Sequence, residues 1–231
     1  MSRSPCCAAG RVCILLAATL PAGLALAHQV TGSDAAYLQS VRGVEVVPLA
    51  YFGAKHMVTG YDHLLYLAGI TFFLYRLKDV ASYVTLFALG HSLTLLLGVL
   101  GGLHANAHVV DALIGLSVVY KAFENLGGLR RLGLSIDPRA AVLTFGLVHG
   151  FGLATKLQEL KLSSQGLVGN MLAFNVGVEL GQLCALAFIW LLLQAWRRRA
   201  AFAQQAYVAN VVLMAAGFVL FGYQLAGWLV A

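Results

Sequence analysis

One stretch, HMVTGYDHLLYLAGITFFLY at residues 56–75, joins an almost unbroken apolar run to three ionisable side chains near its start, His56, Asp62 and His63. A helix needs about 20 apolar residues to cross roughly 30 Å of hydrocarbon, so the run from about 57 to 75 is long enough to span a bilayer. An ionisable side chain inside a bilayer is costly unless it is paired, hydrated or bound to something. The stretch therefore predicts a membrane helix that carries a functional site.

Five further apolar runs complete the predicted fold, at about 80–101, 108–127, 140–158, 167–195 and 207–230. Of the 231 residues, 60% are hydrophobic and only 10% are charged, whereas a soluble protein of this size carries far more charge on its surface. With 4 prolines and 4 cysteines, the chain is also neither disordered, collagen-like nor a disulfide scaffold. The sequence predicts an all-α, polytopic transmembrane bundle of about six spans over residues 55–231.

The N-terminus has the pattern of a secretory signal peptide. Arg3 and Arg11 lie ahead of an apolar run at 12–24, and the small residues Ala25 and Ala27 suit a signal peptidase. We predict a cleaved signal at residues 1–27; a retained first helix is the alternative. Residues 28–54 would then form a periplasmic segment that lies on the outer surface of the membrane, and cleavage would leave Cys184 as the one cysteine, so thiolate metal chemistry is not expected.

Basic residues predict the orientation. Eight Lys and Arg residues fall in loops on one side of the predicted spans and four on the other, and the richer side faces the cytoplasm in most membrane proteins. This places both mature termini in the periplasm and the protein in the bacterial inner membrane. The net charge of +6 comes from these short clusters and forms no basic stripe, so no nucleic-acid partner is expected. The two sets are Arg76, Lys78, Arg130, Arg131, Arg139, Arg197, Arg198 and Arg199 against Arg42, Lys55, Lys156 and Lys161.

Polar residues inside the predicted spans define the candidate site. The predicted metal ligands are imidazoles and carboxylates from four spans, and polar residues beside them are predicted to line the pathway or to support the ligands. Glu124 has a simpler alternative, an ion pair with Lys121 three residues earlier on the same helix. The predicted ligands are His56, Asp62, His63, His91, His149 and Glu179, and the pathway residues are Asn175, Gln182, Ser92, Thr94 and Glu124.

Helical spacing and depth suggest how these residues are arranged. His56, Gly60 and His63 share one helix face at i, i+4 and i+7, and residues 175, 179 and 182 form a similar stripe. Counting along the spans places His91 and His149 near mid-membrane, together with the carboxylate of the second stripe. His63 falls nearer the outer end of its span and His56 at its mouth. We therefore expect an entrance that leads to an inner cluster.

The donor set indicates the cargo. Several imidazoles with one or two carboxylates and almost no sulfur suit a borderline divalent ion such as Ni²⁺, Co²⁺ or Zn²⁺. Cu(I) would recruit sulfur ligands, and Mg²⁺ or Ca²⁺ would recruit oxygen. Because imidazole must be neutral to bind a metal ion, binding should weaken as the pH falls below about 6.5. No organic cofactor is expected.

Four motifs give the chain a family resemblance. HMVTGYDH at 56–63 resembles the H-P-x-x-G-x-D-H pattern of the HupE/UreJ family, and GHSLTL at 90–95, FGLVHGFG at 145–152 and FNVGVELGQ at 174–182 support it. The resemblance runs from about residue 50 to the C-terminus. It implies a secondary permease for nickel or cobalt, of the kind that supplies hydrogenase or urease, with His56, Asp62 and His63 as motif residues. Met57 replaces the proline of the pattern, which places this chain in a divergent branch whose cargo can differ.

Alternatives from other functional classes stay open at this stage. His91 and His149 could be axial ligands of a b-type haem in a membrane redox protein. Ser92 and His149 could act as nucleophile and base in an intramembrane hydrolase. The chain could also be a metal-binding accessory subunit without transport of its own. It has no Walker motif, so it encodes no ATPase, and its expected partners are the bilayer, the metal ion and periplasmic or outer-membrane metal-delivery proteins.

Overall fold

The computed structural model describes residues 32–160 and 162–230, so the predicted signal peptide and His28 lie outside the described part of the chain. Every regular element within those ranges is a helix, which confirms the predicted all-α fold. The helices are α1 (Gly32–Ser40), α2 (Val46–Thr59), α3 (Tyr61–Thr71), α4 (Leu77–Gly101), α5 (Ala107–Asn125), α6 (Gly128–Arg131), α7 (Pro138–Glu159), α8 (Leu167–Arg197) and α9 (Phe202–Val230).

Four of the described helices, α4, α7, α8 and α9, are long and apolar enough to cross a membrane. The protein is therefore a multi-pass membrane protein. The other two predicted spans differ from these four for visible reasons. Helix α5 carries three charged side chains in its 19 residues, and the first predicted span is broken into α2 and α3.

The first predicted span is a broken helix that begins earlier than expected. Helix α2 starts at Val46 and ends at Thr59, and Gly60 separates it from α3 with an extended backbone (φ −72°, ψ 98°). Pro48 lies in the first turn of α2, where a proline costs no hydrogen bond. The expectation of one continuous face from His56 to His63 is wrong, because the two side chains belong to different helices.

Close contacts at glycines hold the long helices in pairs. Helix α2 packs along α8, α4 along α7 and α5 along α9. A Cβ atom added at Gly177 would lie 1.8 Å from the Ala50 carbonyl oxygen, and one at Gly150 would lie 2.0 Å from the His91 carbonyl oxygen. Only glycine permits such close approach of two backbones, so these glycines are packing surfaces between helices. The α4·α7 pair matters most here because each of its helices carries a candidate ligand.

Candidate metal-binding site

Four imidazole rings from four helices meet inside the bundle and form what we call the imidazole cluster: His56 on α2, His63 on α3, His91 on α4 and His149 on α7. The ring of His63 is central, with centroid distances of 5.1 Å to His56, 5.6 Å to His91 and 5.0 Å to His149. The side chains of His63, His91 and His149 have no exposed surface. His56 thus contacts the ring of His63, and it is half-buried.

Asp62 adds one carboxylate to the imidazole cluster. Its Oδ1 atom lies 3.1 Å from Nδ1 of His63, and its residue is 2% exposed. Asp62 belongs to the first turn of α3, where the helix dipole stabilises a negative charge. When the His63 Nδ1–H donates to this carboxylate, the lone pair of the ring is on Nε2, as in the carboxylate–histidine pairs that orient metal ligands.

A hydrogen bond also orients the ring of His149, whereas the ring of His91 has no hydrogen-bond partner among the described residues. The Nδ1–H of His149 donates to the Phe145 carbonyl oxygen at 2.8 Å, so its Nε2 carries the lone pair. Within the described part of the chain, that Nε2 atom and both ring nitrogens of His91 are buried without a hydrogen-bond partner. Buried polar atoms are normally hydrogen-bonded, so these three nitrogens need another explanation, and a bound ion is one that the chemistry offers.

Two aromatic side chains form the wall of the imidazole cluster. Tyr66 stacks on His149 at 5.2 Å between centroids, and Phe87 lies 5.1 Å from His149 and 6.1 Å from His91. Both residues are fully buried or nearly so. They exclude water and lower the local dielectric constant, which strengthens any interaction with an ion. Sequence reasoning missed both residues, although each is three or four positions from a candidate histidine on its own helix.

The donor atoms of the imidazole cluster do not converge on one metal position. Among residues 32–160 and 162–230, no three His, Cys, Asp or Glu side chains have the geometry to hold a metal ion. The rings pack edge to face, with interplanar angles of 69° to 78° around His63. Two imidazoles bound to one tetrahedral ion have ring centroids about 5 Å apart, and the three centroid distances from His63 are of that size.

A comparison with protein families bears on this arrangement. A family model described as HupE / UreJ protein matches residues 32–231. The chain belongs to the HupE/UreJ family. The resemblance drawn from the four motifs is confirmed. The HupE/UreJ family is associated with nickel and cobalt transport, and it is not an enzyme family. No curated protein and no solved structure matches the chain.

The predicted stripe of residues 175, 179 and 182 in this HupE/UreJ protein lies partly in the interior and partly at the surface. Asn175 and Gln182 are buried on α8, and the Gln182 amide donates to the Val84 carbonyl oxygen at 3.2 Å. Glu179 is exposed at the edge of the same helix, and its carboxylate accepts a hydrogen bond from Ser92 at 3.5 Å. The structure therefore places this carboxylate beside α4 and gives it a hydroxyl partner outside the imidazole cluster.

The remaining pathway candidates make ordinary helix-to-helix contacts. Thr94 donates to the Leu147 carbonyl oxygen at 2.7 Å and so links α4 to α7. Glu124 forms an ion pair with Lys121 at 2.8 Å, which is the simpler account that the sequence offered. Thr94 therefore links two helices, and the contact of Glu124 stays within its own helix.

The ring packing also bears on the alternative functions. A haem between His91 and His149 would need a flat slot, but the rings of His63 and Phe87 fill the space between them. A hydrolase would need Ser92 beside His149, but Ser92 hydrogen-bonds to Glu179. The arrangement in this HupE/UreJ protein therefore favours ion binding over both alternatives.

Proposed function

We propose that this protein is a secondary transporter that takes up a divalent transition-metal ion, nickel or cobalt, across the bacterial inner membrane. The observation that carries the proposal is the meeting of four imidazoles from four helices beside one carboxylate, with three of the four rings fully buried. Within the described residues, both ring nitrogens of His91 lack a hydrogen-bond partner. A buried polar atom without a partner costs about 1–3 kcal/mol, and coordination to an ion would offset that cost.

The donor chemistry supports the choice of cargo. Neutral imidazoles supply nitrogen donors and Asp62 supplies one negative charge, a combination that suits Ni²⁺, Co²⁺ or Zn²⁺ better than Mg²⁺ or Ca²⁺. Sulfur is not part of the proposed site: Met57 is buried in the apolar core, and Cys184 is exposed on α8. Nickel and cobalt are proposed ahead of zinc because of the family.

The broken first span supports transport over storage. The last turn of α2 and the first turn of α3 meet at Gly60 inside the bundle, next to His56 and Asp62. In secondary transporters, interrupted helices place the charged ends of helix dipoles at the substrate site. The carbonyl end of α2 would stabilise a cation, and the amide end of α3 stabilises the Asp62 carboxylate.

Uptake of radiolabelled nickel or cobalt by cells that lack their own importers tests the proposal. We expect uptake by the wild type and little by His63→Ala or His91→Ala. His104→Ala is the matched control, because His104 is exposed in the connection between α4 and α5. Wild-type uptake by both cluster variants would refute the proposed site. Uptake into liposomes that contain only this protein would refute the accessory-subunit alternative.

A further inference from the structure

A second set of polar contacts, which we call the Lys156 network, joins α5, α7 and α9. His108 Nδ1 lies 2.9 Å from Gln224 Oε1, and the Gln224 amide donates to Asp111 Oδ2 at 3.2 Å. The Lys156 ammonium donates to the same carboxylate oxygen at 2.7 Å. The network therefore centres on one carboxylate that is neutralised by one tethered cation.

The Lys156 network lies next to the imidazole cluster along α7. Lys156 is seven residues beyond His149, so it occupies the same helix face about 10 Å further along. Between them, Asp111 Oδ1 lies 3.5 Å from the position that a Cβ of Gly152 would take. An ion that enters from the end predicted to face the periplasm would reach the network first.

Stability alone does not explain the buried ion pair. The side chains of Lys156 and Asp111 are only 15% and 7% exposed, and a buried pair of this kind is often no more stabilising than apolar side chains of the same size. In the described part of the chain, Asp111 Oδ1 is buried and accepts no hydrogen bond. One oxygen of the Asp111 carboxylate thus accepts a hydrogen bond from Lys156, while the other lies near Gly152 on α7.

We propose that the Lys156 ammonium is a tethered cation that the incoming metal ion displaces from Asp111, which makes Lys156 a determinant of selectivity for divalent over monovalent cations. The inference rests on the proposed transport function. Coulomb attraction to the carboxylate doubles with the charge of the ion, so a divalent ion gains more than the ammonium it replaces. A monovalent ion gains no more than the ammonium, which also has the advantage of being attached to the chain. The flexible lysine stem allows the ammonium to swing away.

Nickel uptake into proteoliposomes that contain the full chain tests this role. The assay compares sodium chloride with the chloride of a bulky organic cation at equal ionic strength. For Lys156→Met we expect the KM for nickel to fall about tenfold and sodium to become a competitive inhibitor, because the carboxylate has lost its tethered cation. Lys156→Arg should behave like the wild type. Asp111→Asn should raise the KM, and the double variant Lys156→Met/Asp111→Asn should be insensitive to sodium.

Lys55→Met is the matched control, since Lys55 forms a 2.7 Å ion pair with Asp34 on a more exposed surface. It should leave both the KM and the sodium response unchanged. If the Lys156 pair only stabilises the fold, Lys156→Met will lower the yield of folded protein but not change KM or sodium sensitivity, and the inference is then overturned. Absence of uptake by the wild type would overturn the proposed function as well, so the two failures are distinguishable.

Discussion

The imidazole cluster and a second group of polar side chains in the bundle differ in how their hydrogen bonds are satisfied. In the first, the imidazole cluster, both nitrogens of His91 and one of His149 lack partners among the described residues. In the second, the Asn125 amide donates to the Gly69 carbonyl oxygen and to Asn210 Oδ1, each at 2.9 Å. Asn210 in turn donates to the Ala206 carbonyl oxygen. We call the pair Asn125 and Asn210 the asparagine pair.

The difference separates two roles that the sequence could not separate. Polar residues that satisfy one another hold membrane helices together, as the asparagine pair does for α3, α5 and α9. Polar residues that converge without satisfying one another are costly for folding alone and indicate a ligand. If this distinction is correct, substitutions in the two groups should affect different measurements.

The largest expected effect is on the packing that positions the imidazole cluster. In Gly150→Ala, the new Cβ would lie 2.0 Å from the His91 carbonyl oxygen and 2.4 Å from Thr94 Oγ1, so α4 and α7 must separate. We expect a loss of about 3 kcal/mol in stability, measured by thermal unfolding in detergent. Gly222→Ala is the control, because no atom lies within 4 Å of its added Cβ. Equal stability of the two variants would contradict the close α4·α7 contact.

The next largest effect should fall on ion binding. His91→Ala should weaken nickel binding about a hundredfold, or about 2.7 kcal/mol, in isothermal titration calorimetry of the purified protein. Some thermal stability should also be lost, because removal of a fully buried ring leaves a cavity, so the affinity is measured on the folded fraction. Unchanged affinity would show that the unsatisfied nitrogens do not mark the binding site and would remove the contrast with the asparagine pair.

A smaller effect is expected at Glu179, which belongs to neither group. It should fall on the rate of ion transport and not on the affinity for the ion. The Glu179 carboxylate lies outside the imidazole cluster and contacts Ser92, so it should act on the passage of the ion. For Glu179→Gln we expect the uptake rate to fall about tenfold while equilibrium affinity stays within about twofold of wild type. A matching loss of affinity would instead place the carboxylate among the ligands.

The smallest effect should be purely structural. Asn210→Leu removes the partner of the Asn125 amide and should cost about 1 kcal/mol of stability, a typical value for a hydrogen bond between membrane helices. Nickel affinity should stay within about twofold of wild type, because the asparagine pair hydrogen-bonds to Gly69 and Ala206 on other parts of the bundle. A large loss of affinity without loss of stability would contradict the role assigned to the asparagine pair.

Much of the fold could be predicted from the sequence because the long apolar runs reveal the membrane helices directly. The start of α2 could not, because Pro48 resembles a helix stop as much as a first-turn residue. The break at Gly60 was hidden as well, since glycine is also compatible with a continuous helix.

The residue types of the candidate site could be predicted from the sequence, but the individual residues that meet in it could not. Buried histidines in separate spans indicate a shared site, yet nothing in the sequence shows that α4 and α7 are neighbours. The stripe on α8 shows the limit most clearly. At 100° per residue, Glu179 lies about 60° from Gln182 on the helix, which is enough to move one side chain from the interior to the surface. The Lys156 network could not be predicted either, since Asp111 and Gln224 come from two other helices.

The central claim is that one metal ion binds among several of the clustered imidazoles, and X-ray absorption spectroscopy of the nickel-loaded protein tests it most directly. We predict a nitrogen-rich shell at about 2.1 Å with the outer scattering of imidazole rings. The number of imidazoles per nickel should fall in His91→Ala and stay unchanged in His104→Ala. A shell of oxygen without imidazole scattering, or the same spectrum for wild type and His91→Ala, would contradict the account.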